Sequence, residues 1–276
     1  MAMVVGGLQW GRRAMGLGAL ALVAAAGLAG CSTPGGSAAS SGSEIVTPSD
    51  ETDVHRRARI RLELAANYFS MGQTAVALDE VKQALATEPN YADAFNLRGL
   101  IYMRLNDLGM AEESFRRAAA LRPQDPDVAH NYGWLLCQQR KFGEAEAQFQ
   151  RALAQPTYQS QSRTLMAQGL CLEGAGKQAE AEQVLIKSYE LDPGNPVVGY
   201  NLALLKHRRG DQQRAQFYIR RLNNSDLANS QSLWLGIKVE RALGNTVAMR
   251  QLADQLQKRF PDSRELAAFE RGAFDD

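Results

Sequence analysis

The chain is predicted to be all-α, a right-handed superhelix of about six helix-turn-helix repeats. Three observations predict it. Pro89 and Pro123 stand 34 residues apart, and Gly176, Gly210 and Gly244 follow one another at the same spacing. Pro193 and Pro261 differ by twice that interval. Alanine is abundant, 41 residues by count, while aromatics make up only 7%; this balance suits close helix packing better than a sheet core, which draws on β-branched and aromatic side chains. A fixed period of this length marks architectures whose units bury their apolar faces only by stacking. Gly72 and Gly176 are separated by three periods plus two residues, so a two-residue insertion near Ser160–Gln161 brings every landmark into register.

The repeats follow in order. The second, 92–125, is the clearest, with Phe95, Gly99, Tyr102, Ala111, Phe115, Ala118 and Pro123 at the positions of the tetratricopeptide (TPR) signature. The first, 58–91, carries Leu64, Ala65, Tyr68, Ala77, Val81, Ala84 and Pro89. The third, 126–159, has Tyr132, Gly133, Leu136, Ala145, Phe149 and Ala152, with Pro156 one position early. The fourth, 162–195, has Gly169, Leu172, Ala181, Leu185, Ser188 and Pro193. The fifth, 196–229, is weaker, with Leu202, Ala203, Gly210, Ala215, Ile219 and Leu222. The sixth, 230–263, keeps Gly236, Gly244, Leu256 and Pro261 but places Met249 where Ala is expected. Gly or Ala in helix A and Ala in helix B let the two backbones approach. Gly or Asn at the A–B turn accepts positive φ, and Pro ends helix B. Tyr68, Tyr102, Phe115, Phe149, Leu172 and Leu185 are therefore read as core.

Before the repeats, Arg12 and Arg13 precede an uncharged apolar run, Ala14 to Gly30. A basic segment followed by an apolar one of this length reads as a secretory signal, residues 1–30, shorter than the roughly 20 residues of a spanning helix. The run ends Leu28-Ala29-Gly30-Cys31, which resembles the bacterial lipobox. The resemblance implies cleavage before Cys31 and acylation of its thiol, enough for stable anchoring. Ser32 follows, where Asp would favour inner-membrane retention, so the expected location is the outer membrane, lipid-anchored and facing the periplasm. Residues 31–53 are rich in Gly, Ser, Thr and Pro and read as a flexible tether. The repeat domain is expected over 54–276.

Composition narrows the function classes. There are 31 basic and 30 acidic residues, for a net charge of +1, which argues against bulk nucleic-acid binding. Three cysteines exclude a disulfide-dense scaffold and a four-cysteine zinc site. No H-E-x-x-H, C-x-x-C, G-x-S-x-G or phosphate-binding loop occurs. No catalytic residue, metal or cofactor is expected, and function falls to a surface.

In a stack of this kind the A helices line the concave groove. Its inward positions include Asp93, Asn96, Leu100 and Met103 in the second repeat, and Asp127, His130, Asn131, Trp134 and Cys137 in the third. In the fifth they include Tyr200, Asn201, Leu204 and His207. Asn amides both donate to and accept from a peptide backbone, and Trp134 offers an aromatic anchor. For Asn96 and Trp134 a groove role and a packing role both stand. Asn131 and Asn201 are read as bonding the neighbouring helix. His207, Arg208, Arg209, Arg214, Arg220 and Arg221 form a basic cluster, read as a solvated helix face, with an acidic partner or anionic headgroups as the alternative. Cys137 and Cys171 lie in A helices of successive repeats; a disulfide across them and two buried thiols are both open.

Residues 130–153 read HNYGWLLCQQRKFGEAEAQFQRAL, residues 232–245 SLWLGIKVERALGN, and residues 256–263 LQKRFPDS. These segments, with six repeats behind a lipobox and a short linker, resemble the type IV pilus biogenesis/stability TPR lipoproteins, the PilF/PilW type IV pilotin family. The resemblance runs along nearly the whole mature chain. It implies a protein that binds the type IV pilus secretin subunit, accompanies it to the outer membrane through the lipoprotein sorting machinery, and promotes its multimerisation for pilus biogenesis. It also implies that the groove of repeats one to three is the contact, and it places Cys137 and Cys171 where some members carry a cysteine pair. The alternative is a TPR lipoprotein scaffold of outer-membrane barrel assembly or polysaccharide export.

Overall fold

A computed structural model describes residues 50–274. Cys31, the expected signal peptide and the tether up to residue 49 lie outside the described residues. Those described form thirteen helices and no strand. Twelve pair as hairpins: α1 (Asp53–Ser70) with α2 (Thr74–Thr87), α3 (Ala92–Arg104) with α4 (Leu108–Leu121), and α5 (Pro126–Gln138) with α6 (Phe142–Leu153). The others are α7 (Gln161–Gly174) with α8 (Gln178–Leu191), α9 (Pro196–Arg208) with α10 (Gln212–Asn223), and α11 (Ser230–Ala242) with α12 (Thr246–Arg259). A short α13 (Arg264–Glu270) closes the series. Each B helix leans on the next A helix, so every hairpin touches its neighbours alone. This is the all-α TPR superhelix that the period predicts.

The hairpin turns explain the period. Gly72, Gly176, Gly210 and Gly244 all have φ between 71° and 79°, where a Cβ is strained. Asn106 fills the same place in the second repeat at φ 59°, and Arg140 in the third at φ 60°. At the other edge, Pro126 and Pro196 start α5 and α9, and the side chains of Asp125 and Asn195 cap the free amides behind them. α1 begins at Asp53, capped by the Thr52 hydroxyl, which accepts from the His55 amide.

The core recurs with one design. A Cβ on Gly99 would lie 2.6 Å from the Phe115 ring, one on Gly133 would lie 2.9 Å from Phe149, and one on Gly169 would lie 2.6 Å from Leu185. Where helix A carries Ala instead, the facing residue is β-branched: Ala65 packs in one cluster with Val81, and Ala203 with Ile219. Phe115 and Phe149 are fully buried, each contributing roughly 2–3 kcal/mol by removal of apolar surface from water. Leu172 and Leu185 are buried, and Tyr68 and Tyr102 pack half-buried against the same clusters. The sixth repeat keeps the design with an addition: a Cβ on Gly236 would lie 3.0 Å from Leu252 of its own hairpin and 2.5 Å from the Asn223 amide of the preceding repeat, and Met249 packs half-buried beside Leu256.

Two irregular segments fill places that the repeat leaves open. The link between α6 and α7 carries the two extra residues and buries Tyr158 against Ala129 and Ala152. Past the last hairpin, α13 and Phe274 cover Trp234, with the Trp234 and Phe274 rings 5.2 Å apart and Arg241 3.9 Å over Phe274. Among the described residues, no helix is long and apolar enough to cross a membrane.

Candidate partner-binding groove

Successive A helices are tied to each other by contacts one period apart. Arg104 of α3 donates to the Phe69 carbonyl of α1 at 2.6 Å, and Asn131 of α5 donates to the Asn96 carbonyl oxygen of α3 at 3.1 Å. Between α5 and α7, Arg163 pairs with Asp127 at 3.1 Å, His130 Nδ1 meets the Thr164 hydroxyl at 2.8 Å, and Cys137 is disulfide-bonded to Cys171 with Cα atoms 5.7 Å apart. Arg208 of α9 pairs with Glu173 of α7 at 3.1 Å. These ties hold the A-helix layer, and with it the groove, at fixed spacing.

The sequence-derived groove residues separate into three groups. Leu100 and Met103 are half-buried on the cluster of Phe115 and Leu135, and Trp134 is half-buried beside Phe149 and Cys171. They keep apolar surface open on neighbouring helices. Asn96 and Asn131 bond each other, which uses one carbonyl and one amide N–H; the Asn96 NH2 and the Asn131 carbonyl remain for a peptide backbone. Asp93 is in an ion pair with Arg122, which also holds Asp125 at 3.3 Å.

His130 must be removed from the groove. It is 7% exposed, and Thr164, bonded in turn by the Tyr158 hydroxyl at 2.8 Å, closes over its ring. Burial, helped by the charge of Arg163, pushes its pKa down to about 4, so the ring is neutral at physiological pH. Asn201 is also corrected: its amide bonds the Val197 carbonyl of its own helix at 2.7 Å rather than a neighbouring helix. Tyr200 and Leu204 are half-buried and share a small cavity with Trp234 and Lys238.

The basic cluster of the fifth repeat is largely neutralised. Arg209 meets Glu182 at 2.9 Å, Arg220 meets the buried Glu240 at 2.7 Å, Arg214 meets Asp211 at 3.6 Å, and His207 Nδ1 contacts Gln212 at 2.7 Å. Arg208, Arg209 and Arg220 fasten repeats together, Arg214 and His207 bond within their own repeat, and Arg221 stays exposed. Sequence reasoning missed two features here. Thr164 and Tyr158 carry no repeat signal, since neither stands at a signature position and they flank the two-residue insertion on either side. The buried pair of Glu182 and Lys206, 2.7 Å apart, occupies positions that read as surface charge.

The tetratricopeptide repeat family model matches residues 62–126 and 133–196. The chain is 28% identical over 253 residues to the type IV pilus assembly protein PilF of Pseudomonas aeruginosa, spanning 91% of this chain and 97% of that one. It superposes on the crystal structure of PilW, described as a widely conserved type IV pilus biogenesis factor, with a TM-score of 0.71 and 31% identity, covering 79% of this chain and 99% of PilW. The structure of Pseudomonas aeruginosa PilF superposes with a TM-score of 0.73 at 24% identity, covering 80% of this chain and all of that one. With the hairpin stack, the glycine-to-aromatic packing and the continuous A-helix groove, these likenesses lead to one conclusion: the chain belongs to the PilF/PilW family of type IV pilus biogenesis TPR proteins.

Proposed function

We propose that this protein is a non-enzymatic outer-membrane lipoprotein that binds the type IV pilus secretin subunit in its A-helix groove and promotes secretin localisation and multimerisation. The observation that carries the groove assignment is the half-buried apolar strip of Leu100, Met103 and Trp134, flanked by the Asn96–Asn131 amide pair. A strip of this kind supplies the apolar anchor and the backbone-bonding groups that peptide recognition needs. Membership of a pilus biogenesis family supplies the process. The Leu28-Ala29-Gly30-Cys31 motif supports the anchor, and the sorting machinery that carries lipoproteins then moves the bound subunit. Mixed surface charge, with 31 basic and 30 acidic residues, supports a protein partner over nucleic acid.

The test is a pull-down of the full lipoprotein from detergent-solubilised membranes. Secretin subunits are expected with the wild type. Trp134→Ala and Leu100→Asp should lower recovery about tenfold, the effect of losing roughly 1.4 kcal/mol at an anchor. A palmitate analogue should label the wild type and not Cys31→Ala. Recovery of no secretin, or of barrel-assembly or polysaccharide-export components in its place, overturns the reading.

A further inference from the structure

The fifth repeat borders a cavity beside a position where the other repeats carry a side chain. Its fourth position is Gly199, where the second, third, fourth and sixth repeats carry Phe95, Ala129, Leu165 and Leu233. Gly199 is buried, yet a Cβ built on it would meet nothing within 4 Å. The space is about 320 Å³ and lies at the edge of the stack where B helices hand over to A helices, between the links that precede α9 and α11. None of its lining residues is one of the inward groove positions.

The walls have a definite chemistry. Tyr189 and Tyr218 line the space with rings edge-to-face at 5.1 Å, and Phe217 packs 5.2 Å from Tyr218. The Tyr189 hydroxyl is enclosed, with no hydrogen-bond partner among the described residues. Leu227 of the lining is 54% exposed, and Phe217, beside Tyr218, is 62% exposed, so apolar surface is open at and next to the cavity. Arg221 is exposed on the wall and forms no ion pair among the described residues, although its neighbour Arg220 does.

We propose that this cavity is a second protein-binding site, which takes an aromatic or branched aliphatic side chain of a partner polypeptide with a carboxylate close behind it. Edge-to-face tyrosines select an aromatic or bulky apolar group. The unpaired guanidinium selects a carboxylate and rejects a cationic ligand. The volume is at the lower end for small-molecule pockets and gives room for one side chain with its peptide unit. A site at the edge of the stack leaves the A-helix groove free, so the protein can hold two partners at once.

The test uses the full chain in detergent, with ring-labelled tyrosine observed by NMR. Three octapeptides are titrated, identical except for a central Phe-Asp, Phe-Lys or Ser-Asp pair. The Phe-Asp peptide is expected to shift the Tyr189 and Tyr218 ring signals, with the other two at least tenfold weaker. Gly199→Leu fills the cavity with the residue that two other repeats carry there, and Arg221→Glu reverses its charge. Each should weaken Phe-Asp binding at least tenfold, while Gly199→Leu leaves the melting temperature equal or higher. Three results overturn the proposal: no shift with any peptide, binding that Gly199→Leu leaves unchanged, or concentration-dependent self-association that Gly199→Leu abolishes, which would assign the cavity to a second copy of the chain.

Discussion

The carboxylate of Glu182 in α8 accepts a 2.7 Å hydrogen bond from the ammonium of Lys206 in α9, with the two side chains only 11% and 6% exposed. A charge pair is thus enclosed at the junction of the fourth and fifth repeats, with Arg209 reaching the second carboxylate oxygen at 2.9 Å. Burial alone would raise the Glu182 pKa, but the bond and charge of Lys206, with Arg209, outweigh it and hold the carboxyl below its ordinary range. A carboxylate with a depressed native pKa contributes stability that is present above the unfolded value and lost as pH falls through the native one. Glu182→Leu leaves the buried ammonium only the more distant Asp211 carboxylate, 3.8 Å away, and should cost about 3 kcal/mol at pH 7, whereas Glu182→Leu with Lys206→Met should lie within about 1 kcal/mol of the wild type. Amide exchange in α8 and α9 measures both, and equal losses in the single and double variants would contradict the pairing.

His130 should make the array acid-sensitive in a different window. Its native pKa of about 4 lies below the unfolded value of about 6.5. The unfolded chain therefore binds a proton that the native chain refuses, and stability falls as pH drops from about 6.5 to about 4. The full difference is roughly 3 kcal/mol. Urea unfolding at pH 7 and pH 4.5 should show most of this loss in the wild type and little of it in His130→Gln. An imidazole that titrates by NMR at its ordinary pKa would refute the enclosure.

Gly99 and Phe115 form the tightest helix contact of the second hairpin. Gly99→Ala places a methyl 2.6 Å from the Phe115 ring, and overpacking of this order costs about 1–3 kcal/mol. The first repeat contains the natural solution, Ala65 with Val81. Gly99→Ala combined with Phe115→Val should thus lose less than the two single variants added together. Strict additivity in a double-mutant cycle would count against direct contact.

The Cys137–Cys171 bridge closes a loop of 34 residues. The chain-entropy relation gives it a contribution of roughly 4 kcal/mol. Cys137→Ala with Cys171→Ala should lower the denaturant midpoint, and reductant should have no further effect on that variant. Because the bridge joins helices that carry Trp134 and Ala167, secretin recovery by the variant should fall along with stability. Two free thiols in denatured, unreduced protein would dispose of the bridge.

The repeat was legible because backbone geometry demands particular residues. Gly72, Gly176, Gly210 and Gly244 sit at left-handed turns where few others fit. Arg140 occupies the same turn with φ 60°, so the third repeat gave no signal there and was recognised from Gly133 and Phe149 instead. The groove was legible in register but not in depth. His130 stands at an inward position, yet Tyr158 and Thr164 cover it, and nothing in a 34-residue spacing reveals that an insertion will fold back onto a particular ring. Nor does α13 follow from the period, since it is held by contacts of Leu266 and Phe269 with the last hairpin. The Arg-rich segment, read as a solvated face, is exposed but also paired: charge along a sequence does not disclose that Glu182 and Glu240 lie on adjacent helices to receive Arg209 and Arg220.

The junction after the fifth repeat reverses the sign of the junction before it. Glu182 faces Lys206 across 24 residues of sequence, and Gln216 faces Glu240 across the same interval, with Arg220 completing the pair. Modules that look alike are therefore keyed to their order. Excising residues 196–229, a whole period, would bring Glu240 to the place of Lys206 and set two buried carboxylates against each other. The array resists shortening at this point, and a length variant of the protein that loses its fifth hairpin must also change the charge at one of these two positions.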